Sequence, residues 1–475
     1  MSGEIGGIGS ADNSIHVLEV ECPPPTSVSL YSLEVTGGYA EATAYLDPNG
    51  QGAGLFMSEG TLQMLDCELY GNYSFGEGAS FYLMDIAGGS LSDCLVRDNS
   101  STEGSGAYVV PLLVGGFLVE GTTFLGNQSS SGTGGLFAAS TKVKDCIFEE
   151  NTSDNGSSNI PSALFGLDVV VRDCDFVRNH GAGTMRLIGR SYARDKSRVE
   201  RCLFEGNSGP VRVEKTRLVD CEFIDNGPRG ALDLYRRAEA IRCEFRFNHS
   251  DGSPKETGYY GNESNPIGGA LNVGLGSLVD RCLFEGNTTR GNGGAIVVDL
   301  GEHFGKISNS MFVGNSAQRN GGAFFVLGDH VQIHNNTVVN NLSRGRGGGI
   351  YFEGRWSQEA LVSGCILWGN VSGRNSLFRK QMDEGVPAGG ASWRNFDIDL
   401  EHSIVQGARG MPSVSSDDPG FVDPINGDYH LAAGSPAINA LPAGLGVRLP
   451  STMLDLDGNP RDDGNGIDFG AFERQ

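Results

Sequence analysis

No uninterrupted apolar stretch in this 475-residue chain reaches the eighteen or so residues that a membrane helix needs. The most apolar segment, Tyr108 to Val119, is broken by Pro111 and two glycines. The Met1 end lacks a basic start followed by an apolar core, so no signal peptide is visible. No C-x-x-C pair occurs, the cysteines standing 19 or more residues apart, which excludes a zinc knuckle. A nucleotide loop is missing as well. Gly301, Gly305 and Lys306 approach a phosphate-binding pattern but fall one residue short and lead into a strand-like run. Basic residues are in deficit, 35 against 58 acidic, and with a net charge of −23 no nucleic-acid partner is expected.

What the chain does contain is a repeat. Cys-x-Phe-x-x-Asn, or a close variant, begins at Cys67, Cys94, Thr122, Cys146, Cys174, Cys202, Cys221, Cys243, Cys282, Ser310, Asn336, Cys365 and Ser403. Two positions on, the side chain is always apolar, from Leu69 and Val96 through Phe124 to Phe312 and on to Val405. Five positions on stands asparagine in every copy but the last, where Ala408 replaces it. Strand side chains alternate faces, so inward positions at −3, 0, +2 and +5 require a change of parity before 0 and another before +5, and these changes are corners. After the asparagine come a small-residue turn and a second apolar run, as in GGAIVV from Gly293 and GGAFFV from Gly321. One repeat thus holds short strands and corners, with no segment long enough for a helix.

Such coils satisfy their backbone groups only by stacking about 4.8 Å apart. The expected fold is all-β, a single-stranded right-handed parallel β-helix of about thirteen coils over residues 31–411, with an N-terminal cap or leader remnant at 1–30 and a C-terminal cap at 412–475. One elongated domain is the economical count. The 72 glycines belong at corners. Longer gaps mark insertions, chiefly His249 to Pro266 and Ser372 to Leu400. Stacked cysteines would sit too far apart, with parallel bond vectors, for disulfides, so they read as buried thiols acting as small apolar fillers. Cys22 has no evident partner. Several column asparagines, among them Asn72, Asn99, Asn127, Asn151 and Asn287, form glycosylation sequons, but an inward amide ladder is the expected role.

The paired motifs FEGN at Phe284 and GGAI at Gly293 resemble the repeats of the chlamydial polymorphic membrane proteins, which are surface adhesins; the resemblance covers roughly Gly60 to Gly407. The tail, DPGFVDPINGDYHLAAGSPAINA from Asp418 with DLDGNPR from Asp455 and IDFGAFE from Ile467, is similar to the C-terminal cap of many secreted bacterial β-helix proteins, some labelled choice-of-anchor. The resemblance implies a pectate-lyase-like architecture, an extracellular or cell-surface location and adhesion. The same superfamily includes polysaccharide lyases and hydrolases, yet the chain has no Asn-Thr-Asp, Gly-His-Gly or Arg-Ile-Lys of the polygalacturonase kind and no Arg-x-Pro-x-x-Arg of the pectate lyase kind.

Charge supplies the site hypothesis. Arg172 to Arg246 holds 16 basic and 12 acidic residues, against −27 for the remainder. Part of this is a ladder one residue before the cysteines, Asp145, Asp173, Arg201, Asp220, Arg242 and Arg281, in which opposite charges on neighbouring coils pair. In the second apolar run, taking Met185, Leu187, Val211, Val213, Leu232 and Leu234 as inward places Arg186, Arg212 and Asp233 outward in one column, with Glu214 and Tyr235 beside them. Stacked arginines suit an anionic polysaccharide, and the insertion carrying Tyr259 and Tyr260 would wall that face. If the protein is a lyase, an arginine would neutralise the uronate while Tyr235 or Lys215 removes the C5 proton. A charged solvated flank is the bland alternative.

His330 and His334 share a strand face with Gln332, which reads as solvated in the absence of a third metal ligand. An outward apolar row, Leu95, Ile147, Leu203, Leu283, Met311, Ile366 and Ile404, marks either a protein partner surface or a face beneath the insertions. In the tail, Asp455, Asp457, Asn459 and Asp463, with Asp462, Asn465 and Asp468 nearby, offer oxygen ligands. Calcium is the one cofactor entertained, although Asp-Gly turns alone would explain the spacing. Three functions compete: a surface scaffold binding glycans or host surfaces, a polysaccharide lyase or hydrolase, and a purely structural extracellular rod. Regular repeats without an enzyme motif favour the first.

Overall fold

A computed structural model describes residues 16–21, 26–40, 50–112, 116–157, 159–190, 197–252, 268–299, 304–327, 330–353, 359–373, 377–385, 397–441, 454–461 and 466–474. Cys22 lies outside them. The chain comprises two compact units, Met1–Gly227 and Pro228–Gln475. Each unit is a parallel β-helix whose windings contribute one strand apiece to three parallel sheets.

In the first unit the first sheet runs from Leu18–Glu21 to Val211–Glu214, the second from Ser27–Tyr31 to Arg217–Val219, and the third from Glu34–Thr36 to Glu222–Ile224, eight strands each among the described residues. In the second unit the first sheet runs from Leu232–Tyr235 to Met382–Gly385 and the second from Glu239–Ile241 to Asp397–Glu401. Its third sheet begins at Glu244–Arg246 and reaches Ser403–Val405. Register is kept residue for residue, as in Phe124 opposite Phe148 and Phe284 opposite Phe312. One winding precedes the first recognised repeat. There Leu33 and Gly38 replace the cysteine and the asparagine, so only the buried Val35 advertises it.

The corners follow from backbone sterics. The residue before each cysteine position is left-handed, for example Asp66 (φ 54°), Asp145 (φ 51°), Arg201 (φ 50°) and Asn335 (φ 51°), as is the residue before each asparagine, for example Asp98 (φ 53°) and Asn340 (φ 57°). Asp, Asn and Gly tolerate this region best, which explains their prevalence there. The column read as a charge ladder is therefore first a bend. Arg201 still pairs with Asp173 on the preceding winding through two bonds of 2.7 and 2.8 Å, which hold the Asp173 carboxyl below its usual pKa.

Inside, like stacks on like. Phe124, Phe148, Phe176, Phe204 and Phe223 stack at 4.7–4.8 Å between ring centroids, and Phe245, Phe284 and Phe312 at 4.6 Å. The asparagines form the expected ladder. Asn72 Nδ2 donates to Asn99 Oδ1 (3.0 Å) and to the Val35 carbonyl (3.0 Å), and Asn99, Asn127, Asn151 and Asn179 repeat the pattern. In the second unit the ladder ends when Asn370 Nδ2 donates to Gln381 Oε1 (2.8 Å). Gln381 closes a one-turn helix, Leu377–Gln381, in an insertion where no helix was expected. These amides are buried and bonded, so the sequons reflect the inward serine or threonine two residues on, such as Ser74 and Ser129.

The nine described cysteines are free and buried. They are not merely apolar fillers. The Cys67 amide donates to Cys94 Sγ (3.4 Å) and Cys94 Sγ to the Ser92 carbonyl (3.2 Å); Thr122 and Ser310 take the same two roles in their windings. The column selects small side chains that both accept and donate. Burial pushes the Cys94 and Cys365 thiols up to about 12, so neither is a nucleophile at neutral pH.

The C-terminal tail lies against the outer face of the second unit's third sheet. Its hairpin, Phe421–Asp423 with Asp428–Leu431, and Leu441, Phe469, Ala471 and Phe472 pack on Met311, Val339, Ile366 and Ile404. In this unit the predicted outward apolar row is thus covered by the tail rather than by an insertion. In the first unit Ile147 remains 39% exposed.

Candidate functional site

The first sheet's outer face in the first unit contains the predicted arginines. Inward Met185, Leu187, Val211 and Val213 are fully buried, which leaves Arg186 opposite Arg212 in the intervening column. Arg186 donates Nη1 to the Asn159 carbonyl (3.0 Å), approaches Glu214 (3.5 Å) and lies over the Phe165 ring (5.6 Å). Arg212, only 7% exposed, donates Nη1 to Asn159 Oδ1 (2.6 Å). Two stacked cations are thereby tolerated, because Asn159 accepts from both and the Glu214 carboxylate lies beside Arg186.

The same column continues toward the N-terminus as aromatics. Phe56, Tyr82, Tyr108, Phe137 and Phe165 follow one another in register, with ring centroids 4.8–5.5 Å apart. His16 stacks on Phe56 at 5.1 Å. Phe56, Tyr108, Phe137 and Phe165 are partly buried and Tyr82 is buried, and that burial pushes the Tyr82 hydroxyl up to about 12. Sequence reasoning missed this row, although the signal was present. The residue between the two inward apolar positions reads Phe56, Tyr82, Tyr108, Phe137, Phe165, Arg186, Arg212.

Asp233 and Tyr235 belong to the second unit. Asp233 is fully buried and accepts a 2.7 Å bond from Asn272 Nδ2, so alternation alone misjudged its exposure. Tyr235 rests against Gly274, where an added Cβ would come within 3.1 Å of its ring. Lys215 occupies a left-handed corner (φ 50°) after the Arg212 strand. Tyr259 and Tyr260 lie outside the described residues.

In the tail, Asp455 accepts from the amides of Asn459 (2.6 Å) and Glu473 (2.8 Å), while Asp468 accepts from those of Asn439 (2.6 Å) and Arg474 (2.7 Å). Between them sits Arg461, 1% exposed, which donates to the carbonyls of Gly470 (2.7 Å) and Asp468 (3.3 Å) and pairs with Glu473 (3.6 Å). The acidic residues thus cage a buried guanidinium, a role not foreseen for the arginine of the DLDGNPR motif. Asp457 instead bonds His430 (2.7 Å), and Asp463 lies outside the described residues. Among the described residues no group of three His, Cys, Asp or Glu side chains could hold a metal ion.

His334 is 3% exposed rather than solvated. Its strand neighbours Ser308 and Ser363 are buried too, and burial, helped by nearby Lys306, lowers its pKa to about 4. His330 does face outward, stacked on Phe304 at 4.8 Å. Lys306 lies within a strand, Gly305–Ser308, which disposes of the phosphate-loop resemblance.

A cleft of about 470 Å³ also lies in the second unit, between the third sheet and the edge of the tail, lined by Arg246, Arg281, Glu285, His430 and Phe472 among others. Nothing in the repeat pattern announced it, since one wall comes from residues about 200 positions away.

Residues 281–299 match the Chlamydia polymorphic membrane protein repeat, the stretch that carries FEGN and GGAI. No curated protein matches the chain. Among solved structures the chain is similar to the pectate lyase Pel9A, at 14% identity and a TM-score of 0.31 over 88% of each chain.

Proposed function

We propose that this chain is an extracellular or cell-surface β-helix scaffold that binds glycans through the outer face of its first unit. The observation that carries the reading is the column of five stacked aromatic side chains that runs directly into Arg186 and Arg212. An extended ligand laid along the column meets the outer edge of one ring per winding and reaches cationic donors suited to a uronate or sulfate at the end. The likeness of residues 281–299 to a repeat named for Chlamydia membrane proteins supports a surface location.

The test is binding of the full chain to immobilised alginate, polygalacturonate and chondroitin sulfate, with absorbance at 232 nm followed in parallel. Saturable binding without absorbance growth is expected, weakened about tenfold or more, equivalent to ~1.4 kcal/mol, by Arg186→Gln and by Tyr108→Ser. Binding that neither variant alters removes this face from the function. Rising absorbance makes the protein a lyase instead.

A further inference from the structure

The cleft beside the tail in the second unit is lined by both apolar and charged side chains. Its floor is the outer face of the third sheet at Leu283, Met311 and Val313, and its far wall is formed by Leu456 and Phe472. Both walls are fixed. The Ala471 amide donates to Thr337 Oγ1 (2.9 Å), and Asn340 Nδ2 donates to the Tyr429 hydroxyl (2.9 Å), so the cleft is a permanent feature of the docked tail. Its volume, about 470 Å³, falls within the range of small-ligand sites.

Three groups face one another across it. Arg246 projects from the floor with Nη2 2.9 Å from Glu244 and Nε 3.4 Å from Glu285, its side chain 39% exposed. Arg281 lies one winding on, its Nε bonded to Asp280 at 3.0 Å. Opposite, the His430 ring packs on Phe472 (centroids 4.2 Å apart) and bridges Asp457 and Asp428 at 2.7 and 2.6 Å. Burial works against a charge on His430, but the two carboxylates outweigh it and raise its pKa.

A polyanion such as a phosphate ester would meet Glu244, Glu285 and Asp457 as well as the arginines, and a purely apolar ligand would leave those groups unsatisfied. Hydroxyl groups, which both donate and accept, match mixed guanidinium and carboxylate partners. A flat C–H face matches Leu283 and Phe472, and a single carboxylate matches the part-exposed guanidinium of Arg246. We infer that this cleft binds one acidic sugar unit, a pyranose ring carrying a single carboxylate, with Arg246 holding the carboxylate. The site shares a ligand chemistry with the first unit's outer face but none of its residues, so either can fail alone.

The experiment titrates the full chain with glucuronic acid, glucose and inorganic phosphate, followed by saturation-transfer NMR and calorimetry. Glucuronic acid is expected to bind with a Kd on the order of 1 mM, and glucose about tenfold more weakly. Arg246→Gln should abolish the preference for glucuronic acid over glucose. Leu456→Trp, which fills the cleft from the tail side and leaves every arginine in the sequence, should abolish both, while Arg186→Gln leaves them unchanged. Phosphate binding as tightly as glucuronic acid, full binding in Arg246→Gln, or no saturation by about 50 mM would each overturn the assignment.

Discussion

The outer face of the third sheet is built in two ways. In the first unit ion pairs between windings, Arg97 with Glu68 at 2.6 Å and Arg178 with Glu149, stand among apolar residues such as Leu95 and Ile147. In the second unit Arg246 still pairs with Glu244 and Glu285, but in later windings the equivalent positions become Met311, Val313, Ile366 and Trp368, and the tail covers them. Two positions before the cysteines the contrast recurs. Lys144 with Glu120 and Arg172 with Glu200 pair at 2.6 Å in the first unit, whereas the second unit has buried Ser308, His334 and Ser363. The interior columns barely change between the units, so the repeat constrains the inside while the outside is free to follow whatever lies against it. Exposed pairs contribute only ~0.2–1 kcal/mol each, and a lattice of them is the low-commitment solution for a face that meets water. A covered face removes apolar area from water and is correspondingly sensitive.

The comparison breaks most severely at Arg461. Arg461→Met leaves Glu473, Asp455 and Asp468 buried around a missing charge, which should cost about 3–5 kcal/mol and release the tail. Hydrogen exchange should show the amides of Ala471 and Glu473 losing protection, while those of the first unit's asparagine ladder keep theirs. Unchanged protection at Ala471 would mean that the cage does not hold the tail.

The contrast is sharpened by the same substitution in both units. Ile366 is fully buried beneath Phe469, and Ile366→Ala should cost about 3 kcal/mol in denaturant unfolding. Ile147 occupies the same column position in the first unit but is 39% exposed, and Ile147→Ala should cost less than ~0.5 kcal/mol. Similar losses at the two sites would show that something covers the first unit's face as well.

How much of this was legible depended on whether a residue faces its own copies. Cysteine, phenylalanine and asparagine stack on equivalents one winding away, so a linear period reports their contacts, and the ladders were readable down to the hydrogen-bonding amide. Arg186 and Arg212 were placed in the correct shared column by alternation alone. Asp233 and His334 were misjudged because alternation tells which way a side chain points, not whether another segment lies over it. The tail's cover, the Arg461 cage and the cleft join residues with no periodic relation, and no spacing rule encodes those contacts. The aromatic row fell between these cases, periodic and in register but outward, where charge drew attention away from it.

The smallest effect separates the two versions of the column before the cysteines. His334 is buried with its pKa lowered to about 4 from an ordinary 6.5, first by burial and then by Lys306. A group whose neutral form is favoured on folding contributes stability that is complete above the unfolded value and declines as pH falls from 6.5 toward 4, because the unfolded chain takes up the proton first. At pH 5 the loss is about 2 kcal/mol, approaching ~3 kcal/mol below pH 4. His334→Gln should flatten the pH dependence of unfolding between 6.5 and 4. In the first unit Lys144→Gln, in the same column, should leave that dependence unaltered, because an exposed ammonium keeps its charge throughout the window. Equal slopes for His334→Gln and the parent chain would mean that His334 is protonated as readily in the fold as out of it, and that this column is wet in both units.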